Sequence, residues 1–254
     1  MTPSPLPYAT IGDVLTHLDL VIARCRQKRS KLGYFAVLYR NVTWRVQQSM
    51  TAGRFEDAAR MERLDVLFAQ RYLQAIEQFW RGEAPSHSWT VAFNATRLWP
   101  LIILQHLLLG INAHINLDLA IAAVQTAPGS ELPALKHDFD EISLLLSEMV
   151  DDVQVRMAQA SPWFWLIDRV GGRTDEQLCA FAMQAARHRA WQVAEQLAQT
   201  APDQRAHVIA GHDQLVAGLG RGLYFPTFML GTAHLLIRLR ELDDVPQVME
   251  LLRL

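Results

Sequence analysis

The sequence predicts an all-α fold, a single-domain multi-helix bundle of about nine or ten helices around a buried central helix. Three observations carry this. Apolar residues recur at helical spacing along most of the 254 residues. No stretch alternates convincingly with the period of a strand, and prolines and glycines punctuate the periodic runs. Half of the residues are hydrophobic and 20% are charged, enough to bury a sizeable core without disulfides.

Residues 1–9 read as a proline-rich tail and 10–254 as the domain. Thr10 with Asp13 marks the start of a first helix, Ile11 to about Arg29, punctuated by Gly33. A second runs from Tyr34 to Met50 and ends at Gly53. The third, Glu56 to Arg81, has a wide apolar face. Ser88 to Val124 reads as two helical pieces broken at Pro100, because proline lacks a donor and clashes with the preceding turn. Ala127 to Ser130 is a turn, and Pro133 opens a helix to Ala160. Ser161 and Pro162 start a short aromatic helix (Trp163, Phe164, Trp165) that stops at Gly171 and Gly172. Thr174 and Gln177 form a capping box for a helix to Thr200. Pro202 begins another, to about Leu219, followed by a glycine turn at 220–222. Pro226 leads to a helix ending near Leu242, and a last short one contains Met249 to Leu252.

Bulk properties narrow the function classes. A net charge of −2 without a Lys/Arg block argues against nucleic acid, whose binding rests largely on phosphate neutralisation. Cys25 and Cys179 are too few for a disulfide framework or zinc ribbon and read as small buried hydrophobes. The N-terminus has no apolar run, so no signal peptide is expected, and the cytoplasm is the default location. The most apolar stretch, Leu98 to Ile115, is interrupted by Pro100, Gln105, His106, Asn112 and His114, which suits a buried core helix and no transmembrane segment.

That stretch leads into the most informative string, Gln105 to Asp118. Residues four apart on a helix lie one above another, so His106, Gly110, His114 and Asp118 form one stripe. His114 and Asp118 are spaced to reach one metal ion or to act as an acid–base pair, and His106 to line the same cavity. Gly110 leaves room for a ligand or a neighbouring backbone. Burying such groups on an apolar helix is costly unless each is paired, so a purely structural His–Asp hydrogen bond is the competing reading.

At this string the chain resembles the bacterial proteins grouped as domain-of-unknown-function family 5995. The similarity covers most of the chain. It rests on Tyr39 to Thr43, Arg60 to Asp65 with Phe68, Ala69, Arg71 and Tyr72, then Gln105 to Leu119, and further on Asp138, Phe139, Val153, Gln154, Arg187, Ala190 and Trp191. The run Gly110 to Leu119 is the specific part; Ser143 stands where the family pattern has Asn. The resemblance implies a helical fold and no defined activity. The His–Asp spacing is also similar in arrangement to helical zinc-dependent phospholipase C and P1-type nucleases, whose full ligand set this chain lacks. His114, His137, Asp138 and Asp213 follow the order of the metal ligands in HD-type phosphohydrolases, although adjacent residues diverge on a helix.

These readings combine into one expectation. The chain is a metal-dependent or acid–base enzyme, hydrolase-like, acting on a small apolar substrate of lipid or polyketide type in an interhelical cavity. His114, Asp118 and His106 are its catalytic candidates, and His114, Asp118, Asp138 and Asp65 its metal ligands, for a divalent ion such as Zn or Fe. Asn112, Arg187 and Trp191 contact substrate, with Arg187 packed along the Trp191 indole or recognising an anionic group. Asp65, if it is not a ligand, pairs with Arg60 or Arg71. The alternative is a non-catalytic module that binds a small hydrophobic ligand or a protein, oligomeric or not, with a structural stripe.

Overall fold

The structure is a computed structural model, and it describes residues 9–163, 175–224 and 234–253, with the side chains of 175–182 excepted. Ten α-helices and no strand occur among the described residues. They are α1 (Ile11–Gln27), α2 (Leu32–Thr51), α3 (Ala58–Trp80), α4 (His87–Ala95), α5 (Ile103–Ala113), α6 (Leu119–Thr126), α7 (Lys136–Ala160), α8 (Asp175–Gln199), α9 (Arg205–Gly222) and α10 (Val245–Leu251). A π-helical segment, His114–Asp118, joins α5 to α6, and a 3₁₀ segment, Gly129–Leu135, precedes α7.

Local chemistry explains these boundaries. Thr10 and Asp13 form the expected capping box. Gly53 closes the turn after α2 with φ +71°, a left-handed conformation that glycine adopts without strain. Residues 96–102 separate α4 from α5 around Pro100. One boundary departs from expectation: α9 continues through the glycine run to Gly222. A Cβ at Gly220 would lie 3.1 Å from Val91 and 3.2 Å from Asn112, so this glycine brings α9 close to α4 and α5. The reading of 171–174 and the pair Phe164–Trp165 lie outside the described residues, as does the Cys179 side chain. Cys25 is buried, as expected.

Three helices of the N-terminal half begin on carboxylates supplied from far downstream. Asp138 accepts from the backbone of Glu56 (2.7 Å) and Asp57 (3.1 Å) at the start of α3. Asp213 accepts from His87 (2.6 Å) and Ser88 (2.9 Å) at the start of α4. Glu241 accepts from Ile103 (3.1 Å) at the start of α5. Each satisfies amide donors that a helix cannot pair internally and places negative charge at the positive end of the helix dipole.

The continuous rod α5–π–α6, Ile103–Thr126, is the central helix. It is long and apolar enough to cross a membrane, yet 83% of its most apolar window is buried within the protein. Helices α2, α3, α4, α8 and α9 pack around it.

Candidate functional site

The site grows from the π segment. There the amide of Leu119 donates to the carbonyl of His114, five residues back, so the turn holds one residue more than an α-helical turn. His114 and Asp118 bracket it. His114 Nδ1 lies 3.2 Å from Asp118 Oδ2. Asp118 also accepts from Arg71 Nε at 2.7 Å through Oδ1 and from Trp89 Nε1 at 2.8 Å through Oδ2. At 1% exposure its carboxylate is sealed, and every oxygen is engaged. Burial pushes the Asp118 carboxyl up, but the Arg71 guanidinium, His114 and Trp89 outweigh it and hold it below the usual carboxylate range. An ionised carboxylate can only accept, so Nδ1 of His114 carries the proton and Nε2 presents a lone pair.

His114 is enclosed by rings. Phe68 stacks parallel to it at 3.5 Å and Tyr39 meets it edge-on at 4.4 Å, with Phe35, Tyr72 and Trp89 beyond. Burial holds the imidazole below its ordinary pKa against the opposing pull of Asp118, so it is neutral at pH 7. Its Nε2 has no hydrogen-bond partner among the described residues. A Cβ at Gly110 would fall 2.4 Å from the Phe35 ring, so Gly110 makes room for that side chain, where a ligand or a backbone was expected.

His114 forms part of the wall of a cavity of about 380 Å³ between α2, α3, α5, α7 and α8. The wall is overwhelmingly aliphatic and aromatic, including Leu38, Leu108, Ile111, Leu146 and Val150. Its chemistry-bearing members include His114, Asp65, Asn112 and Arg187. Asp65 forms no ion pair among the described residues, and its Oδ2 has no hydrogen-bond partner. Burial, reinforced by the nearby Glu62, pushes its carboxyl up to about 7. The cations expected to pair with it are committed elsewhere, Arg60 to Asp138 and Arg71 to Asp118.

Arg187 is 3% exposed. Its Nε donates to Ser143 Oγ at 2.6 Å and its Nη2 to the Phe139 carbonyl at 2.5 Å, and the guanidinium lies 4.4 Å over the Phe139 ring. Trp191 packs against Phe139 from elsewhere, at 5.0 Å, and donates to Glu195 at 2.9 Å. The expected Arg187–Trp191 contact is thus replaced by two separate contacts with Phe139, and Trp191 does not line the cavity. Asn112 lines it but is tied to α9 through Val216 (3.0 Å) and accepts from Asn116 (3.0 Å).

Further expectations are corrected. His106 does not share the cavity with His114; it packs edge-on to Tyr34 beside a void of about 10 Å³ with Lys31, Arg238 and Glu241. Four-residue steps drift by about 40° each, so two steps carry the two imidazoles about 80° apart. Asp138 is fully buried and spent on the start of α3 and on Arg60, so it cannot join His114. Nor do His114, Asp118, Asp65 and Asp138 gather into one ligand set. Among the described residues the one group of three or more potential metal ligands is Glu56, His137 and Asp138. Asp138 and Asp213 cap different helices, which removes the HD-type arrangement.

The sequence reading missed Arg71 and Trp89 as the partners of Asp118 and the ring cage around His114. Tyr39, Phe68, Arg71 and Tyr72 all fall on residues that carry the family resemblance, which was the available signal.

No curated protein and no solved structure matches the chain. Residues 11–226 match the family described as a family of unknown function (DUF5995), most of the chain, and the protein therefore belongs to that family.

Proposed function

We propose that this protein is an acid–base enzyme acting on a small, mostly apolar molecule, with His114 Nε2 as the proton acceptor and Asp65 as a second proton-carrying group. One observation carries the reading: a neutral imidazole that lines an apolar cavity is fixed through Nδ1 by a buried carboxylate, and its Nε2, itself buried, has no hydrogen-bond partner among the described residues. Asp118 orients the ring and stabilises the imidazolium that forms when Nε2 takes a proton. Asp65, with its carboxyl pushed up to about 7, is divided between acid and carboxylate near neutrality and is suited to return a proton. The cavity falls within the volume range of small-molecule sites, about 300–1,000 Å³. Acid–base work is favoured over ligation by the His114–Asp118 pair, because Asp118 has no oxygen free. Imidazole Nε2 and Asp65 alone fall short of the three or four protein ligands usual for a zinc ion.

The test uses p-nitrophenyl octanoate for hydrolysis and 2-decanone for solvent deuterium exchange at the α-carbon, in buffer with EDTA and again after adding Zn²⁺ or Fe²⁺. Acceleration by the wild type that His114→Gln abolishes, with circular dichroism unchanged, supports the reading. Equal rates for wild type and His114→Gln overturn it. Activity that appears only with added metal moves Nε2 from base to ligand. A second reading, ligand binding without turnover, is favoured by the predominantly aliphatic wall; it predicts bound ligand and no rate on either probe.

A further inference from the structure

Charge bookkeeping within the cavity leaves one group unmatched. Asp118 and Arg71 cancel. Asp65, with its carboxyl pushed up to about 7, carries only part of a charge near neutrality and forms no ion pair with Arg187, and His114 is neutral. Arg187 alone is a buried cation without an ion-pair partner among the described residues. Asp140 acts on it electrostatically without forming an ion pair, and Asp140 is exposed and engaged by Lys136. The two acceptors that Arg187 does have, a hydroxyl and a carbonyl, are neutral. A buried charge left in that condition is costly.

The contacts also define which edge of the guanidinium is spent. Nε and Nη2 face Ser143 and Phe139. Nη1 donates to no group among the described residues, and a second N–H of Nη2 lies parallel to it, a two-pronged donor that matches a carboxylate. Met183 and Ala186 on α8, with Ile142 and Leu146 on α7, continue the wall around Arg187 as apolar surface.

We infer that the ligand of this cavity is a monocarboxylate with an aliphatic tail, its head held by Arg187 and its tail along the apolar wall. The inference rests on the apolar-ligand reading above. A single negative charge balances the single positive one; a phosphate monoester would carry surplus charge into an apolar chamber. The volume accommodates roughly a dozen water-sized groups at about 30 Å³ each, which sets the tail at medium length. Burial also holds the Arg187 guanidinium down at about 9, a position that a bound carboxylate would raise.

The probes are dodecanoate below its critical micelle concentration and dodecanol below its solubility limit, titrated calorimetrically into wild type, Arg187→Met and His114→Gln. Wild type is expected to bind the acid at least about tenfold more tightly than the alcohol, about 1.4 kcal/mol. Arg187→Met is expected to bind the two alike, and His114→Gln to keep the preference. Equal affinity of wild type for acid and alcohol overturns the carboxylate assignment while leaving an apolar site standing. Binding of neither overturns both. An acid preference that persists in Arg187→Met also overturns it, because the head is then held elsewhere. Should Arg187→Met fail to fold, Arg187→Gln takes its place, with the same loss of acid preference expected and the same persistence overturning the assignment.

Discussion

His106 and His114 stand two turns apart on one apolar helix, and both are buried and neutral, yet their surroundings differ in kind. His106 is packed solidly among Tyr34, Lys31 and Arg238, where burial, with the nearby cations, pushes its pKa down to about 3. Neither nitrogen of His106 has a hydrogen-bond partner among the described residues, whereas His114 has a carboxylate on one nitrogen, a buried unpartnered second nitrogen, and a place on the wall of a cavity. Burial alone makes an imidazole neutral. The fixed tautomer and the neighbouring cavity are what the proposed role of His114 as a base rests on.

The comparison breaks most sharply at Asp118. Asp118→Ala leaves Arg71, Trp89 and His114 without their acceptor and is expected to cost about 3–5 kcal/mol in urea unfolding, whereas Asp118→Asn, which keeps one acceptor oxygen, costs less. If both cost under about 1 kcal/mol, the anchoring role fails. Next comes pH. Each histidine has a folded-state pKa below its unfolded value, so its contribution is fully present above the unfolded value of 6.5 and is lost as pH falls toward the folded one. For His106 the loss by pH 5 is on the order of 2 kcal/mol, and His106→Leu should flatten that part of the stability–pH curve. An unchanged slope contradicts the buried-neutral assignment. Gly110→Ala drives a methyl against Phe35 and should cost about 1 kcal/mol net, overpacking of about 1–3 kcal/mol offset by about 1 kcal/mol of helix propensity. It should also shift the His114 ring resonances, which Phe35 shields. The smallest effect belongs to Leu146→Phe, which fills cavity space; stability should change by less than about 1 kcal/mol while dodecanoate affinity falls.

Much of the architecture was legible because helical periodicity and Pro/Gly punctuation are local properties. The elements fell close to their observed bounds except at Gly218 to Gly222, where close packing against Val91 and Asn112 uses glycine within a helix. Within the site, the run Gly110 to Leu119 singled out His114 and Asp118, because polar groups on an apolar helix demand an explanation. Spacing could not show that Asp118 is consumed by Arg71, 47 residues upstream, or that a π turn separates the pair. Nor could it distinguish a carboxylate that starts a distant helix, as Asp138 does, from one whose buried Oδ2 has no hydrogen-bond partner among the described residues, as in Asp65. That distinction depends on which amide ends arrive nearby, and only the assembled bundle decides it.

Those distant carboxylates have a consequence for the making of the protein. Helices α3, α4 and α5 are translated before Asp138, Asp213 and Glu241 leave the ribosome, so for much of synthesis the amides of Glu56, Asp57, His87, Ser88 and Ile103 lack those acceptors. The chamber beside His114 needs walls from α7 and α8 as well. Completion of the chamber is therefore a late event in the life of the nascent chain, coupled to closure of its longest loops.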